Sequence, residues 1–477
     1  MVLTWVDYAV IAGYLLAITA FGSWFARFQK TTRDYFLTGR SIPWWAICFT
    51  IVATETSTLS FIGVPAGAYA GNMTFLQLAL GYIVGRVLVS VLFIPAYFRG
   101  ELYTSYELLE RRFGSGVKNI AAAIFLVTRT LADGVRLFAT ALVISVVTGV
   151  DVSLTIVALG TAMIIYTTRG GVAAVLWTDV VQMFVYVAGA FVVLFGLLER
   201  IDGGWAAVVS TGVAAGKFQV IDLSLDVTRI YTFAAGILGG VALTLATHGT
   251  DQFLVQRLLS ARSAQAAASG LILSGVIVFL QFVLFLIIGV MLFTYYQQTP
   301  LPRALASNDE VLPLFVVTSL THGAAGFIVA AIVAAALSPS INALAATTVN
   351  DFYLKYVRPD ADQPTLMRVS RAATIFWGVA QIAVALGGQW IRSVLDAGLA
   401  VLSLSAGPVL GAFLVGVLTT RIGSRAMIAG MSLGIGVLLG VWWTGATAWT
   451  WYAFIGSTVT VGGALAASAV LPERPHA

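Results

Sequence analysis

Apolar runs, most of them about twenty residues long, recur from one end of the chain to the other, long enough to cross a bilayer as helices. They lie near residues 5–26, 44–70, 75–98, 119–148, 153–168, 175–199, 231–254, 270–296, 324–350, 370–388, 393–418, 424–443 and 449–470, thirteen in all. Only 10% of the 477 residues are charged, whereas soluble domains carry about 25%. That is too little polar surface to clothe a water-soluble core of this size. The sequence therefore predicts an all-α polytopic membrane protein. The first run, Tyr8 to Ala26, leads straight into Arg27, Lys30, Arg33 and Arg40 with no small-residue cleavage site, so it reads as a retained span.

The loops give the orientation. With the N-terminus outside, eighteen of the 26 Lys and Arg residues fall in inner loops and five in outer loops, while Arg86, Arg129 and Arg136 fall inside spans. Basic residues accumulate on the cytoplasmic side, so this arrangement predicts an outside N-terminus and, after thirteen spans, an inside C-terminus. The formal net charge of +5 is scattered, with no basic stripe for nucleic acid. A single cysteine, Cys48, excludes an internal disulfide or a Cys-based metal cluster. The chain has no phosphate-binding Walker loop, no Ser-His-Asp pattern and no metal-ligand spacing, so nothing in it points to an enzyme.

Two stretches interrupt the apolar pattern. In the second run, Ala53-Thr54-Glu55-Thr56-Ser57-Thr58 holds five polar residues of six, followed by Gly63, Pro65 and Gly67. In the ninth, Ser338-Pro339-Ser340 interrupts a helix of small residues. Irregular backbone at membrane depth is tolerated only where it is buried or lines a cavity, and transporters with inverted repeats use such breaks to present carbonyls to a cation. Ser and Thr also occur in membrane helices simply as packing residues. Glu55 is different, because an ionisable group at that depth is expensive and usually functional. Arg86 either snorkels or pairs with it. Arg129, Asp133 and Arg136 share a helix face by their spacing; one intrahelical pair leaves an arginine over, for a substrate carboxylate or for an acid on another helix. His248 beside Asp251 reads as a structural polar contact rather than a proton relay.

Several segments resemble one family, the sodium/solute symporters, which include sugar, proline, sialic-acid, iodide and monocarboxylate carriers. They are "IVATETSTLSFIGVPAGAY" at 51–69, "TSYELLERRF" at 104–113, "TTRGGVAAVLWTDVVQMF" at 167–184, "THGTDQFLVQRLLSAR" at 247–262 and "SINALAATTVNDFY" at 340–353. The resemblance covers nearly the whole chain. It implies one symporter domain over 1–477 with a LeuT-type inverted repeat of five plus five helices. An extra first helix would lie at 5–26, the transport core at about 44–418 and extra C-terminal helices at 424–470.

The resemblance further implies a sodium site made by backbone carbonyls at Ala53 and Thr56 facing hydroxyls at Ser338 and Ser340. A second site would use Asp179 of the Trp-Thr-Asp motif. Ser57 and Ser60 match positions that touch substrate in relatives. Phe75 permits a sugar ring, and Arg129 and Arg136 permit a carboxylate. The ninth run departs from the family pattern. Matched forward from Gly326 the first hydroxyl falls on Ser338, but matched backward from Asn342 it falls on Ala335 and Ala336, as if three residues were lost, about 4.5 Å of helix. Glu55 is then expected to supply sodium with the missing oxygen. The expectation is a monomer in a cell membrane, a bacterial inner membrane, that takes up a small organic solute with sodium as coupling ion and no other cofactor. The alternatives are a proton-coupled or uncoupled carrier that uses Glu55, and a membrane sensor that does not transport.

Overall fold

The computed structural model describes residues 4–28, 31–99, 102–305, 308–336, 340–388 and 394–471. Ser338 and Pro339, on which the expected shortening rests, lie outside the described residues. Among those described, every regular element is helical; one isolated bridge joins Ile42 to Ala261. The α-helices are α1 (Trp5–Trp24), α2 (Thr32–Leu37), α3 (Trp44–Glu55), α4 (Thr58–Ala70), α5 (Leu76–Leu92), α6 (Ile94–Tyr97), α7 (Tyr106–Phe113), α8 (Ser115–Thr148), α9 (Val152–Arg200) and α10 (Gly204–Ala214). They continue with α11 (Gly240–Gly249), α12 (Gln252–Leu259), α13 (Ala264–Gln298), α14 (Val311–Ser319), α15 (Ala324–Ala336), α16 (Ile341–Thr347), α17 (Gln363–Gly387), α18 (Val394–Leu418), α19 (Ser424–Thr444) and α20 (Tyr452–Val470).

Seven of these helical stretches are long and apolar enough to cross a membrane, and the α3–α4 pair makes up to eight if its two limbs, bent by 58°, count as one. α9 holds 49 residues, about 74 Å of helix and twice a bilayer's hydrocarbon thickness. It turns at Gly171, whose φ of 59° and ψ of −156° are open to glycine. The apolar runs at 153–168 and 175–199 are its two limbs.

The run at 231–254 is not one helix. After a π-helical turn at Ala235–Gly239, α11 ends at Gly249, and α12 restarts at Gln252. Asp251 caps the restart by accepting the Phe253 N–H at 2.9 Å. The chain thus carries a second broken helix seen in the structure, inside a run that reads from the sequence as one span.

Two contacts fix how the helices meet. α5 and α11 lie backbone to backbone: a Cβ on Gly240 would come within 2.7 Å of the Leu78 carbonyl oxygen and 3.1 Å of the Gly81 Cα. At the opposite edge, buried Asp7 of α1 accepts the N–H groups of Gly323 at 2.7 Å and Gly326 at 2.9 Å, capping the start of α15.

Candidate functional site

The break between α3 and α4 is built by hydroxyl side chains. Thr56 leaves the helix at φ −77°, ψ 94°, and Ser57 caps α4, its Oγ accepting the Ser60 N–H at 3.4 Å. In an unbroken helix the Ser57 amide would close on the Ala53 carbonyl; here it donates to the Glu55 carbonyl at 3.0 Å. The Ala53 carbonyl therefore loses its ordinary partner at the break. Thr56 Oγ1 donates to the Val52 carbonyl at 2.9 Å and accepts from Gln281 Nε2 at 2.6 Å. Thr58, the last residue of the polar stretch, ties the break to its neighbours. Its Oγ1 donates to the Ile332 carbonyl of α15 at 3.2 Å and accepts from Thr140 of α8 at 3.0 Å.

The expected sodium-binding residues fall into three places. Ala53 and Thr56 sit at the break, both buried. Ser340 precedes α16, fully buried, with its Oγ accepting from Gln381 Nε2 at 2.9 Å. Asp179 lies on α9 against the C-terminal half of α3, which leads into the break. Its Oδ2 accepts from Thr50 at 2.6 Å, Thr54 at 3.4 Å and Arg257 Nη2 at 3.0 Å. Thr50 and Thr54 are i and i+4 on α3, so one helix face serves the carboxylate. Neither these threonines nor Arg257 was singled out from the sequence.

Glu55 meets a guanidinium where the sequence reading placed sodium. Its Oε2 is ion-paired with Nη2 of Arg86, a fully buried side chain on α5. His248 joins them, with Nε2 3.4 Å from Glu55 Oε1 and Nδ1 3.0 Å from Thr247 Oγ1. His248 thus contacts Glu55 rather than the neighbouring Asp251. Arg86 is the interhelical partner of Glu55 and does not snorkel.

The spare arginine also finds its acid. Arg129 lies 3.4 Å from Asp133 and 3.4 Å from Asp251 of the second break, leaving Arg136 with Asp133 at a loose 3.9 Å. Arg129, Arg136 and Asp251 help to line a cavity of about 590 Å³. Glu55, Ser57, Ser60, Phe75, Arg129 and Arg136 all line it, together with His248, Asp251 and Phe253. Phe75 stands edge-on to Phe282 at 4.9 Å and Tyr231 at 5.3 Å, an aromatic wall. Ala53, Thr56, Ser340 and Asp179 are not part of the lining. The structure therefore brings all the expected substrate residues to one chamber and keeps Ala53, Thr56, Ser340 and Asp179 behind its wall.

Two helices broken at polar residues, beside a partly open chamber within an apolar bundle, are the architecture of a membrane carrier. The chain belongs to the sodium:solute symporter family, whose model matches residues 35–434. It is 29% identical to the sodium/sialic acid symporter SiaT of Proteus mirabilis over 98% of this chain and 96% of that one. It is 31% identical to the human sodium/iodide cotransporter over 91% of this chain and 69% of the other. A solved structure of a Na+-coupled sialic acid symporter, in a substrate-bound outward-open state, superimposes with a TM-score of 0.92 at 28% identity, covering 98% of each chain. Mhp1, a nucleobase-cation-symport-1 transporter, shares the fold at a TM-score of 0.60 and 14% identity over 92% of this chain and 95% of its own. The fold is the all-helical one of LeuT-like sodium symporters, and its relatives are transporters.

Proposed function

We propose that this symporter uses the sodium gradient to draw a small organic anion, a sugar acid or monocarboxylate, across a cell membrane by alternating access. The observation that carries this reading is the α3–α4 break. It deprives the Ala53 carbonyl of its helical partner immediately beside a chamber lined by Arg136, the cavity cation with the loosest ion pair. A dehydrated hard cation takes several oxygen ligands, and an unwound helix supplies carbonyls for it. The Ala53 and Thr56 carbonyls with Ser340 make the first sodium site in this reading, and Asp179 with Thr50 and Thr54 the second. Arg136 and Arg129 meet the carboxylate, Ser57 and Ser60 its polar groups, and Phe75 a ring face. The chain acts as a monomer in a bacterial inner membrane, with thirteen spans, the N-terminus outside and the C-terminus inside. Helices near 44–418 form the transport core and those at 424–470 an addition.

The test is thermal stabilisation of purified protein by sugars, amino acids, sugar acids and monocarboxylates, with and without sodium, followed by uptake into proteoliposomes under a sodium gradient. A carboxylate that stabilises only with sodium supports the reading. Stabilisation by neutral sugars alone overturns the anion assignment.

A second reading rests on His248 lying 3.4 Å from Glu55. Protons then couple transport through Glu55. Uptake driven by a pH gradient in sodium-free buffer establishes it, and its absence discards it.

A further inference from the structure

We propose that Phe253 is a positioning residue that transmits sodium binding at Asp179 to the substrate chamber. This rests on the reading of Asp179 as a sodium ligand.

The geometry is a chain of contacts through one aromatic ring. Phe253 is 1% exposed and is the second residue of α12, just past the second helix break. Two guanidinium groups lie over its ring: Arg129 Cζ at 4.3 Å from the centroid and Arg257 Cζ at 4.4 Å. Arg257 reaches away from the chamber to Asp179 at 3.0 Å and also donates to the Phe253 carbonyl at 2.5 Å. Arg129 belongs to the chamber wall and reaches Asp251 and Asp133. Asp251 returns to Phe253 by accepting its N–H at 2.9 Å. Both guanidinium groups hold the ring, Arg257 also holds the carbonyl and Asp251 the amide, so one residue is gripped by three members of the ion-pair set.

The charges give the direction. A sodium ion at Asp179 shares the carboxylate with Arg257 and weakens that ion pair. The Arg257 guanidinium then leans harder on the Phe253 carbonyl and ring, among its other contacts. Two like charges against one buried ring repel, and the repulsion is strong in a low-dielectric interior. Arg129 yields: it draws off the ring while keeping Asp251 and Asp133, and turns further into the chamber it already lines. Sodium thereby makes the chamber more positive before an anionic solute arrives. By reciprocity, the solute strengthens sodium binding by the same factor.

The experiment needs sodium alone. Cys48 is the only cysteine and is fully buried; it is replaced by serine, and Thr128→Cys places a thiol on the chamber wall beside Arg129. Labelling rates with an anionic and a cationic methanethiosulfonate reagent are compared in sodium and in potassium at equal ionic strength. The ratio of anionic to cationic rates reads the local potential. Sodium is expected to raise this ratio by about threefold or more, and Phe253→Leu to abolish the rise while sodium still stabilises the protein thermally. Phe253→Tyr, which restores a ring, is expected to restore it. Arg257→Lys keeps a cation at Asp179 without a flat guanidinium and is expected to blunt the rise; it serves if Phe253→Leu does not fold. No sodium effect in the parent, or a full effect in Phe253→Leu or Arg257→Lys, overturns the relay. If Asp179→Asn leaves sodium stabilisation unchanged, the sodium reading of Asp179 fails and takes the relay with it. If Asp179→Asn alters that stabilisation while Phe253→Leu keeps the full effect, only the relay fails.

Discussion

Glu55 and Arg86, 31 residues apart in sequence, share an ion pair inside the helical bundle, with the carboxylate at the chamber wall and the guanidinium fully buried behind it. Removing one partner of a buried pair leaves the other charge uncompensated and costs about 3–5 kcal/mol, whereas removing both is far milder. Glu55→Gln and Arg86→Gln are each expected to lower thermal stability in detergent, and the double variant to recover most of the loss. Additive losses would show that the two residues are not linked. Arg86→Gln, if it folds, also releases the carboxylate to a soluble cation, so its sodium affinity is expected to exceed that of the parent.

Asp179→Asn tests the proposed second ion site. The buried carboxylate makes charge-assisted bonds worth about 1.5–3 kcal/mol each, so losing its charge is expected to raise the sodium concentration for half-maximal uptake by about tenfold or more. The same change strands Arg257, and thermal stability falls. Adding Arg257→Gln is expected to restore stability without restoring sodium affinity, a separation read by paired melting and uptake titrations. An unchanged sodium titration in Asp179→Asn removes the residue from the site.

Arg136 is the chamber cation with the loosest acid partner, at 3.9 Å from Asp133. Arg136→Gln is therefore expected to disturb folding little. A charge-assisted contact to a carboxylate is worth about 1.5–3 kcal/mol, so the half-saturating concentration of an anionic substrate rises by about 10- to 100-fold. A neutral analogue serves as the comparison: an equal loss for both shows that Arg136 does not read the charge.

Gly240→Ala tests the contact between α5 and α11. The added methyl meets the Leu78 carbonyl oxygen at 2.7 Å, and overpacking of this kind costs about 1–3 kcal/mol. Gly13→Ala in α1, where nothing lies within 4 Å of the new atom, is the control; in a helix that change is neutral or stabilising. Equal melting temperatures for the two variants would show that the seam tolerates a side chain.

The helical architecture and the first break were legible because both are written locally. Long apolar runs announce helices, and Thr54 to Thr58 put polar groups where a span has no use for them. The second break was hidden because its polar stretch, Thr247-His248-Gly249-Thr250-Asp251-Gln252, lies inside a run that reads as one span, and Asp251 beside His248 reads as a polar contact within that span. The cue was present: Asp251 stands where a helix N-cap belongs, directly before Gln252. The residues of the chamber were recognisable by type, but their pairing was not. Whether Arg86 meets Glu55 or a lipid headgroup depends on the rotation of α5, which is set by Gly81 and Gly85 packing on α11. The same holds for Arg129, whose acid outside α8 became visible only once α12 was seen to begin at Gln252 with Asp251 as its cap. Arg257 lay in a quoted segment, "THGTDQFLVQRLLSAR", yet nothing within that segment points to an aspartate 78 residues earlier.

The glycine seam has a mechanical consequence. Arg86 sits on α5 and His248 on α11, and both touch Glu55 on α3. With backbone pressed on backbone at Gly81 and Gly240, the two helices have no layer of side chains on which to slip past one another. They must travel as a single jaw. Any rocking that parts α3 from that jaw breaks both Glu55 contacts in one stroke, so the junction works as an all-or-none latch rather than a graded brake. The smallest residues in the bundle thus decide that the largest charges let go together.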